Sequence, residues 1–134
     1  MSHSSSSLRW TTPPKRVVLK LSGEALKPAG SDDIIDWQET ERLAAEITSV
    51  HKKHGTEFAI VVGAGNIWRG VRGVAQGMDP ATADEMGMIA TKLNALALQN
   101  AFKREGYQTR VMSALHMDQM MEKYIRQRAL RHLE

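Results

Sequence analysis

Two short stretches carry the residue types that phosphate chemistry needs. The first, "KLSG" (20–23), places a lysine, a hydroxyl and a glycine at the end of a β-branched run, and the second, "GAGNIWRG" (63–70), follows another apolar run. Glycines let backbone N–H groups approach an anion closely, and Lys20 and Arg69 supply positive charge where phosphoryl oxygens accumulate negative charge. If both stretches lie at the same edge of a sheet, they predict a crevice for a polyphosphate.

Each stretch taken alone also has an ordinary structural explanation. A lysine that closes a strand is more often a solvated strand end, and many Gly-rich turns bind nothing. The second stretch lacks the G-x-x-x-x-G-K-[ST] spacing of a P-loop and the strand–GxGxxG–helix pattern of dinucleotide binding. Asp84 falls in the first turn of a predicted helix, where an acidic residue more often complements the helix dipole. The residues alone therefore leave both interpretations open.

Strand patterns recur along the chain from Lys15 onward and position the two stretches. Runs at 16–21 and 57–63 are predicted strands, and 107–114 is a weaker candidate. The second run is apolar on both faces, as expected for a strand covered on two sides. Because helical patterns separate the strands, the sequence predicts an α/β domain with an open, largely parallel sheet and helices on both faces.

Three helices are predicted between and after these strands. The first is capped by Asp36 and ended by Gly55. The second, 82–106, is apolar nearly all round in its middle, so we expect it to be buried by the sheet and by another subunit. The third is 117–134. Apolar residues predicted to face inward are Leu43, Ala44, Ile47 and Val50 in the first helix and Met121, Ile125 and Ala129 in the third.

Composition limits the classes of function. The chain has 134 residues, enough for one domain, and a net charge of +3, which is no strong signal for nucleic-acid binding. The absence of cysteine excludes disulfides and thiolate zinc sites and fits the cytoplasm. No apolar run reaches the roughly 20 residues of a membrane span. We expect the Ser-rich residues 1–14 to be a flexible leader and residues 15–134 to form the domain.

Four stretches then occur in a fixed order: "VLKLSGEA", "VVGAGNIWRG", "MDPATADEMGMIATKLNALAL" and "TRVMSA". Together they resemble the bacterial uridylate (UMP) kinases of the amino acid kinase family, continuously from about residue 15 to residue 134. The pairing of G-x-G-N-x-x-R-G with a following A-D-x-M-G-M is typical of uridylate kinases. Aspartate, glutamate and acetylglutamate kinases share the K-x-[SG]-G start and a Gly-rich second loop, but not that helix start.

The resemblance implies an activity and an assembly. Such kinases transfer the γ-phosphoryl group of ATP, with Mg²⁺ bridging its phosphate oxygens, to UMP in pyrimidine nucleotide biosynthesis, and they form homohexamers. The partners implied are therefore ATP, UMP and further copies of the chain, without a membrane or nucleic acid. In-line transfer needs positioning and charge neutralisation more than a strong base, since the acceptor is already an anionic oxygen.

The resemblance also implies roles for individual residues. The residues matching the ATP-binding positions are Lys20, Leu21, Ser22, Gly23, Gly65 and Arg69. Among these, Lys20 and Arg69 would be catalytic, because they neutralise charge on the transferring group. UMP would contact Ala64 through its phosphate and Asp84 through its sugar hydroxyls. No residue of this chain is implied as a metal ligand.

The sequence departs from the family pattern in three places. Ala64 stands where glycine is usual, and its methyl group is tolerable if the backbone φ is negative. The stretch "KPAGSDDI" (27–34) has few of the glycines of a region that contributes to GTP regulation. The G-T-G-N-P-x-x-T-T-D segment that grips UMP and the adenine-holding loop are not among the 134 residues. We therefore expect this chain to be the N-terminal half of the kinase domain, truncated and inactive alone.

Two alternatives remain open. The chain could belong to another small-molecule kinase of the same family, acting on a carboxylate or carbamate. It could also be a non-catalytic chain that associates with full-length subunits or binds polyanions through basic residues near its end, namely Lys123, Arg126, Arg128 and Arg131. Helical spacing scatters these four around the predicted helix, which favours a solvated face over nucleic-acid binding.

Overall fold

A computed structural model describes residues 11–134, which form two small parallel sheets flanked by helices. The elements are β1 (Arg16–Leu21), a 3₁₀ helix (Gly23–Leu26), α1 (Trp37–His54), β2 (Glu57–Val62), α2 (Gly70–Ala75), α3 (Pro80–Arg104), β3 (Met112–Ser113), β4 (Glu122–Lys123) and α4 (Arg126–Leu133). Residues 1–10 of the expected leader lie outside the described residues. Residues 11–14 form no helix or strand, and the Pro14 carbonyl accepts a hydrogen bond from Thr56 Oγ1 at 2.9 Å.

The first sheet aligns the two chemically interesting stretches. Strands β1 and β2 pair in parallel, in a register that runs from Arg16 opposite Glu57 to Leu21 opposite Val62. The Gly63 N–H donates to the Leu21 carbonyl at 2.9 Å, which carries the pairing one residue past the strands. Because parallel strands end at the same edge of a sheet, the residues that follow β1 and β2 lie side by side.

The core lies between this sheet and the two long helices. Its buried members come from the 3₁₀ helix, α1 and α3: Leu26, Ala44, Ile47, Leu98, Ala101 and Phe102. Alternate strand residues pack against them, namely Leu19, Leu21, Phe58, Ile60 and Val62. Successive strand residues point to opposite faces. Val18 and Val61 accordingly lie on the other face, where they are 67% and 54% exposed.

Helix α1 follows the prediction at both ends. Asp36 Oδ1 accepts a hydrogen bond from the Glu39 N–H at 3.0 Å, and Gly55 ends the helix in the left-handed region at φ 68°. Ala44 and Ile47 are buried as predicted, but Val50 is exposed and the prediction for it is wrong. Thr40 and Thr48 are also buried on this helix. The Thr40 hydroxyl donates to the Asp36 carbonyl, and the Thr48 hydroxyl donates to the Ala45 carbonyl.

The last third of the chain differs from the prediction. The strand expected at 107–114 is reduced to Met112–Ser113, which pairs in parallel with Glu122–Lys123. The helix expected at 117–134 begins only at Arg126, because a turn on the Met117 carbonyl and the short strand β4 occupy its predicted first half. Met121 is buried as predicted, whereas Ile125 is 42% exposed.

Candidate functional site

The loops that follow β1 and β2 are in direct contact. Gly23 is buried, and a Cβ added to it would lie 2.6 Å from the Gly65 nitrogen and against Asn66 Oδ1. A Cβ added to Gly63 would lie 3.4 Å from the Gly23 nitrogen. Only glycine at position 23 lets the two backbones approach this closely. We call residues 20–24, which include the last two residues of β1, the β1 loop, and residues 63–69 the β2 loop.

Four N–H groups of the β2 loop, those of Ala64, Gly65, Asn66 and Arg69, have no backbone acceptor within residues 11–134. Those of Ala64 and Gly65 are adjacent. No residue other than glycine in this described part has a positive φ, so Ala64 has the negative φ that its methyl group requires. Ala64 is only 8% exposed, and its methyl group is accommodated without strain. Two adjacent free N–H groups on a small-residue turn are an anion-binding feature.

Arg69 bridges the two loops. Its guanidinium forms an ion pair with the Glu24 carboxylate of the β1 loop, and its Nε donates to the Gly65 carbonyl at 3.2 Å. The Glu24 carboxylate also covers Gly65, since a Cβ added there would lie 2.5 Å from Glu24 Oε1. The half-exposed pair therefore places one positive and one negative group beside the free N–H groups.

Lys20 is the second cation of the site. It is exposed near the end of β1, opposite Val61, and in the described part of the chain no carboxylate lies within ion-pair distance of it. Of the residues that follow, Ser22 is exposed and Leu21 packs its side chain into the core. Leu21 therefore presents only its backbone to the loops.

Asp84 lies at the far end of the β2 loop. A Cβ added to Gly70, the first residue of α2, would lie 3.7 Å from Asp84 Oδ1. Asp84 is exposed, and it is in the second turn of α3, because that helix starts at Pro80. Asp79 caps the helix instead, accepting from the Thr82 N–H at 3.0 Å. The placement of Asp84 in the first turn is wrong, and the capping role belongs to Asp79.

Side chains that the sequence reasoning did not assign hold the β2 loop in place. The Trp68 indole N–H donates to the Ala83 carbonyl at 2.8 Å, which fixes the loop beside Asp84. The amides of Asn66 and Asn94 bond to each other, and Asn94 is fully buried in α3. The sequence did contain a signal for Asn94, since it is a single amide inside the apolar run "KLNALAL". A buried amide requires hydrogen-bond partners, so its position indicates that it bonds to another segment.

The part of the chain that the structure describes contains neither a membrane-spanning helix nor a cluster of metal-ligating side chains. Residues 11–134 include no helix that is both long enough and apolar enough to cross a membrane. Across the same range, His, Asp and Glu side chains nowhere gather in groups of three or more that could hold a metal ion.

A family profile and two solved structures relate this chain to known kinases. The sequence profile of the amino acid kinase family matches residues 15–134. The crystal structure of UMP kinase from Bacillus anthracis is similar, with a TM-score of 0.81 and 37% identity over 89% of this chain and 48% of that one. UMP kinase from Ureaplasma parvum has a TM-score of 0.78 and 38% identity over 87% of this chain and 50% of that one. The chain thus spans about half the length of each of these UMP kinases.

Proposed function

The chain belongs to the amino acid kinase family, and we propose that it is the N-terminal half of a UMP kinase that transfers the γ-phosphoryl group of ATP to UMP, in the cytoplasm, to yield UDP. The observation that carries this proposal is the contact between the β1 and β2 loops. It brings Lys20, Arg69 and the free N–H groups of Ala64 and Gly65 to one edge of the sheet. Similarity to two UMP kinases at 37% and 38% identity supports the choice of substrate.

In this proposal the β1 loop and part of the β2 loop bind the ATP phosphates. Lys20 and Arg69 neutralise charge on the transferring phosphoryl group, and Ser22, Gly23 and Gly65 approach it through hydroxyl or backbone groups. Leu21 contributes only its backbone, because its side chain packs in the core. Arg69 exchanges its Glu24 partner for phosphate oxygens when ATP binds.

UMP is proposed to lie along the β2 loop, from Ala64 near its start to Asp84 beside its far end. The Ala64 N–H donates to the UMP phosphate, and the Asp84 carboxylate accepts hydrogen bonds from the sugar hydroxyls. The tie between Trp68 and the Ala83 carbonyl supports this assignment, since it holds Asp84 beside the end of the loop. Held this way, an anionic phosphate oxygen of UMP can attack the γ-phosphorus in line without a protein base.

Magnesium is proposed to arrive on ATP. Residues 11–134 bring together no cluster of three or more metal-ligating side chains that could hold the ion. Mg²⁺ typically keeps several waters and binds substrate phosphates through one or two protein groups. Bound to ATP, the ion would neutralise charge that Lys20 and Arg69 do not reach.

We also propose that the chain assembles with further copies, as a homohexamer when the domain is complete. One face of α3 carries Met86, Ile89 and Leu93 at helical spacing, 38%, 57% and 55% exposed. Apolar residues in such a stripe are usually covered by a partner. A second α3 placed against this stripe would bury it.

The substrate assignment is tested on a completed chain. Residues 15–134 fused to the C-terminal half of the Bacillus anthracis UMP kinase are incubated with Mg·ATP and one acceptor at a time: UMP, CMP, aspartate or acetylglutamate. We expect ADP release with UMP to exceed that with every other acceptor. A preference for a carboxylate acceptor would assign the chain to another kinase of the family. Uniform inactivity of a folded fusion would leave only a non-catalytic role.

A further inference from the structure

Asn94 is a buried amide whose polar atoms are all used. It has no exposed surface in the middle of α3. Its Nδ2 donates to the Gly63 carbonyl and to Asn66 Oδ1, both at 2.8 Å, and its Oδ1 accepts from Asn66 Nδ2 at 3.1 Å. A buried amide left unpaired would destabilise the fold, whereas one bonded at every donor holds its partners rigidly.

The partners of Asn94 bracket the ligand-facing part of the β2 loop. Gly63 and Asn66 stand immediately before and after Ala64 and Gly65, whose N–H groups have no acceptor within residues 11–134. Asn66 Nδ2 additionally donates to the Ile34 carbonyl at 3.0 Å. The loop is therefore fixed on both sides of the Ala64–Gly65 dipeptide, whose N–H groups have no backbone acceptor within residues 11–134.

We propose that Asn94 is a positioning residue for phosphate binding. It touches no nucleotide, and it acts by holding Gly63 and Asn66 so that the intervening N–H groups are preorganised for an anion. Preorganised donors bind more tightly because the cost of ordering them has been met on folding. The identity of the ligand rests on the proposed function, but the effect of Asn94 on the loop does not.

The first experiment needs no ligand. Amide spectra and hydrogen exchange of the 134-residue chain are compared for Asn94→Ala, Asn66→Ala and a control, Asn100→Ala, which removes an exposed amide from the same helix. We expect both test variants to shift the amide signals of Ala64 and Gly65 and to deprotect the Ile67 and Trp68 amides, which donate to the Ala64 carbonyl, and the control to leave all four unchanged. Asn66→Ala removes the Asn66–Asn94 hydrogen bonds by changing the half-buried partner. If the spectra and exchange of the loop amides stayed unchanged in this variant, the inference would be overturned, even if Asn94→Ala failed to fold.

The second experiment titrates the same chains with Mg·ATP and with UMP. Each test variant should lose about tenfold or more in affinity, and the double variant should lose less than the two single losses combined, because both remove the same bonded pair. The core variant Ile47→Val should lower the thermal midpoint without this loss of affinity. If nucleotide affinity fell in proportion to the thermal midpoint in every variant, including Ile47→Val, Asn94 would have only a structural role. If the unaltered chain binds neither nucleotide, the proposed function fails for it, and the ligand-free spectra still decide the inference.

Discussion

The charged side chains of the site differ in whether they already form an ion pair within the protein. Arg69 is paired with Glu24, whereas Lys20 has no carboxylate partner among residues 11–134, and Asp84 stands apart beside the start of α2. The Arg69–Glu24 pair is half exposed, and such pairs stabilise a fold by only about 0–1 kcal/mol. A phosphate can therefore replace Glu24 at little cost, and loss of either cation should affect chemistry far more than folding.

Substitution of the two cations separates these effects. In the fused chain, Lys20→Ala and Arg69→Ala should each lower kcat by about 100-fold or more, since each removes charge stabilisation from the transition state. The thermal midpoint should stay nearly constant. Arg72→Ala, an exposed arginine one turn further along, is the control and should change neither quantity. A large fall in the midpoint that accounts for the lost activity would make these residues structural.

Substitution of Asp84 tests the assignment of UMP. Asp84→Asn should weaken UMP binding by about 1–3 kcal/mol, the scale of a lost charged hydrogen bond, while ATP affinity barely changes. Glu85→Gln, which neutralises the exposed neighbouring carboxylate, should leave both affinities intact. Titration calorimetry with each nucleotide measures the difference. Equal weakening of both nucleotides, or of neither, would remove Asp84 from the UMP site.

At the scale of elements, sequence patterns predicted what depends on neighbours along the chain. Both ends of α1, the strands β1 and β2 and the length of α3 follow from caps, glycines and local periodicity. The six-residue helix α2 was not predicted, because it contains two glycines and depends on Trp68 and α3 for support. The strand β4 was taken for a helix, because its pairing with β3 ten residues earlier is invisible to a local pattern.

The same distinction applies to the site. Lys20, Gly65 and Arg69 were predicted as site residues because their residue types match phosphate chemistry, and their roles stay a prediction. Leu21 was recognised as part of a motif, yet its side chain packs in the core. Glu24 and Asn94 were not assigned a role, because their partners are distant in sequence. Glu24 pairs with Arg69, 45 residues away, and Asn94 bonds to Asn66, 28 residues away. Contacts between residues so far apart produce no recognisable spacing pattern in the sequence.

The contact between the loops gives a prediction for Gly23. Gly23→Ala forces its Cβ against the Gly65 nitrogen, 2.6 Å away, so the β2 loop must move. We expect a loss of about 1–3 kcal/mol of stability, the usual range for overpacking, together with a fall in nucleotide affinity. Gly87→Ala, whose Cβ would lie 3.7 Å from the Trp68 ring, should leave nucleotide affinity unchanged and should not lower stability, since alanine favours a helix interior. Thermal melts and nucleotide titrations compare the two; equal behaviour would refute close loop packing.

The exposed stripe of α3 gives a prediction for assembly. Ile89→Lys and Leu93→Lys place charge in the proposed interface and should reduce the sedimenting mass of the fused chain, because burying an unpaired ammonium is costly. Both residues are more than half exposed in the single chain, so its fold should tolerate the change. Glu85→Lys on the same helix is the control. An unchanged mass for both stripe variants in analytical ultracentrifugation would place the interface elsewhere.

For the whole molecule, the chain covers about half of the UMP kinases it resembles, and the face of its first sheet that turns away from the core is partly exposed among the described residues. Val18 and Val61 are 67% and 54% exposed on that face. Transfer between two nucleotides requires both to be held in near-attack geometry, a contribution of about 7–11 kcal/mol to lowering the barrier. In the proposed function the two loops supply phosphate contacts and Asp84 of α3 supplies one sugar contact, so we propose that a second half completes the grip on both nucleotides.

The most direct test of the central claim is therefore complementation in trans. The 134-residue chain is mixed with a separately purified C-terminal half of the Bacillus anthracis UMP kinase, and UDP formed from Mg·ATP and UMP is measured. We predict no UDP from either half alone, UDP from the mixture, and its loss when the chain carries Arg69→Ala. Turnover by the 134-residue chain alone, or a mixture that is active regardless of Arg69, would contradict this account.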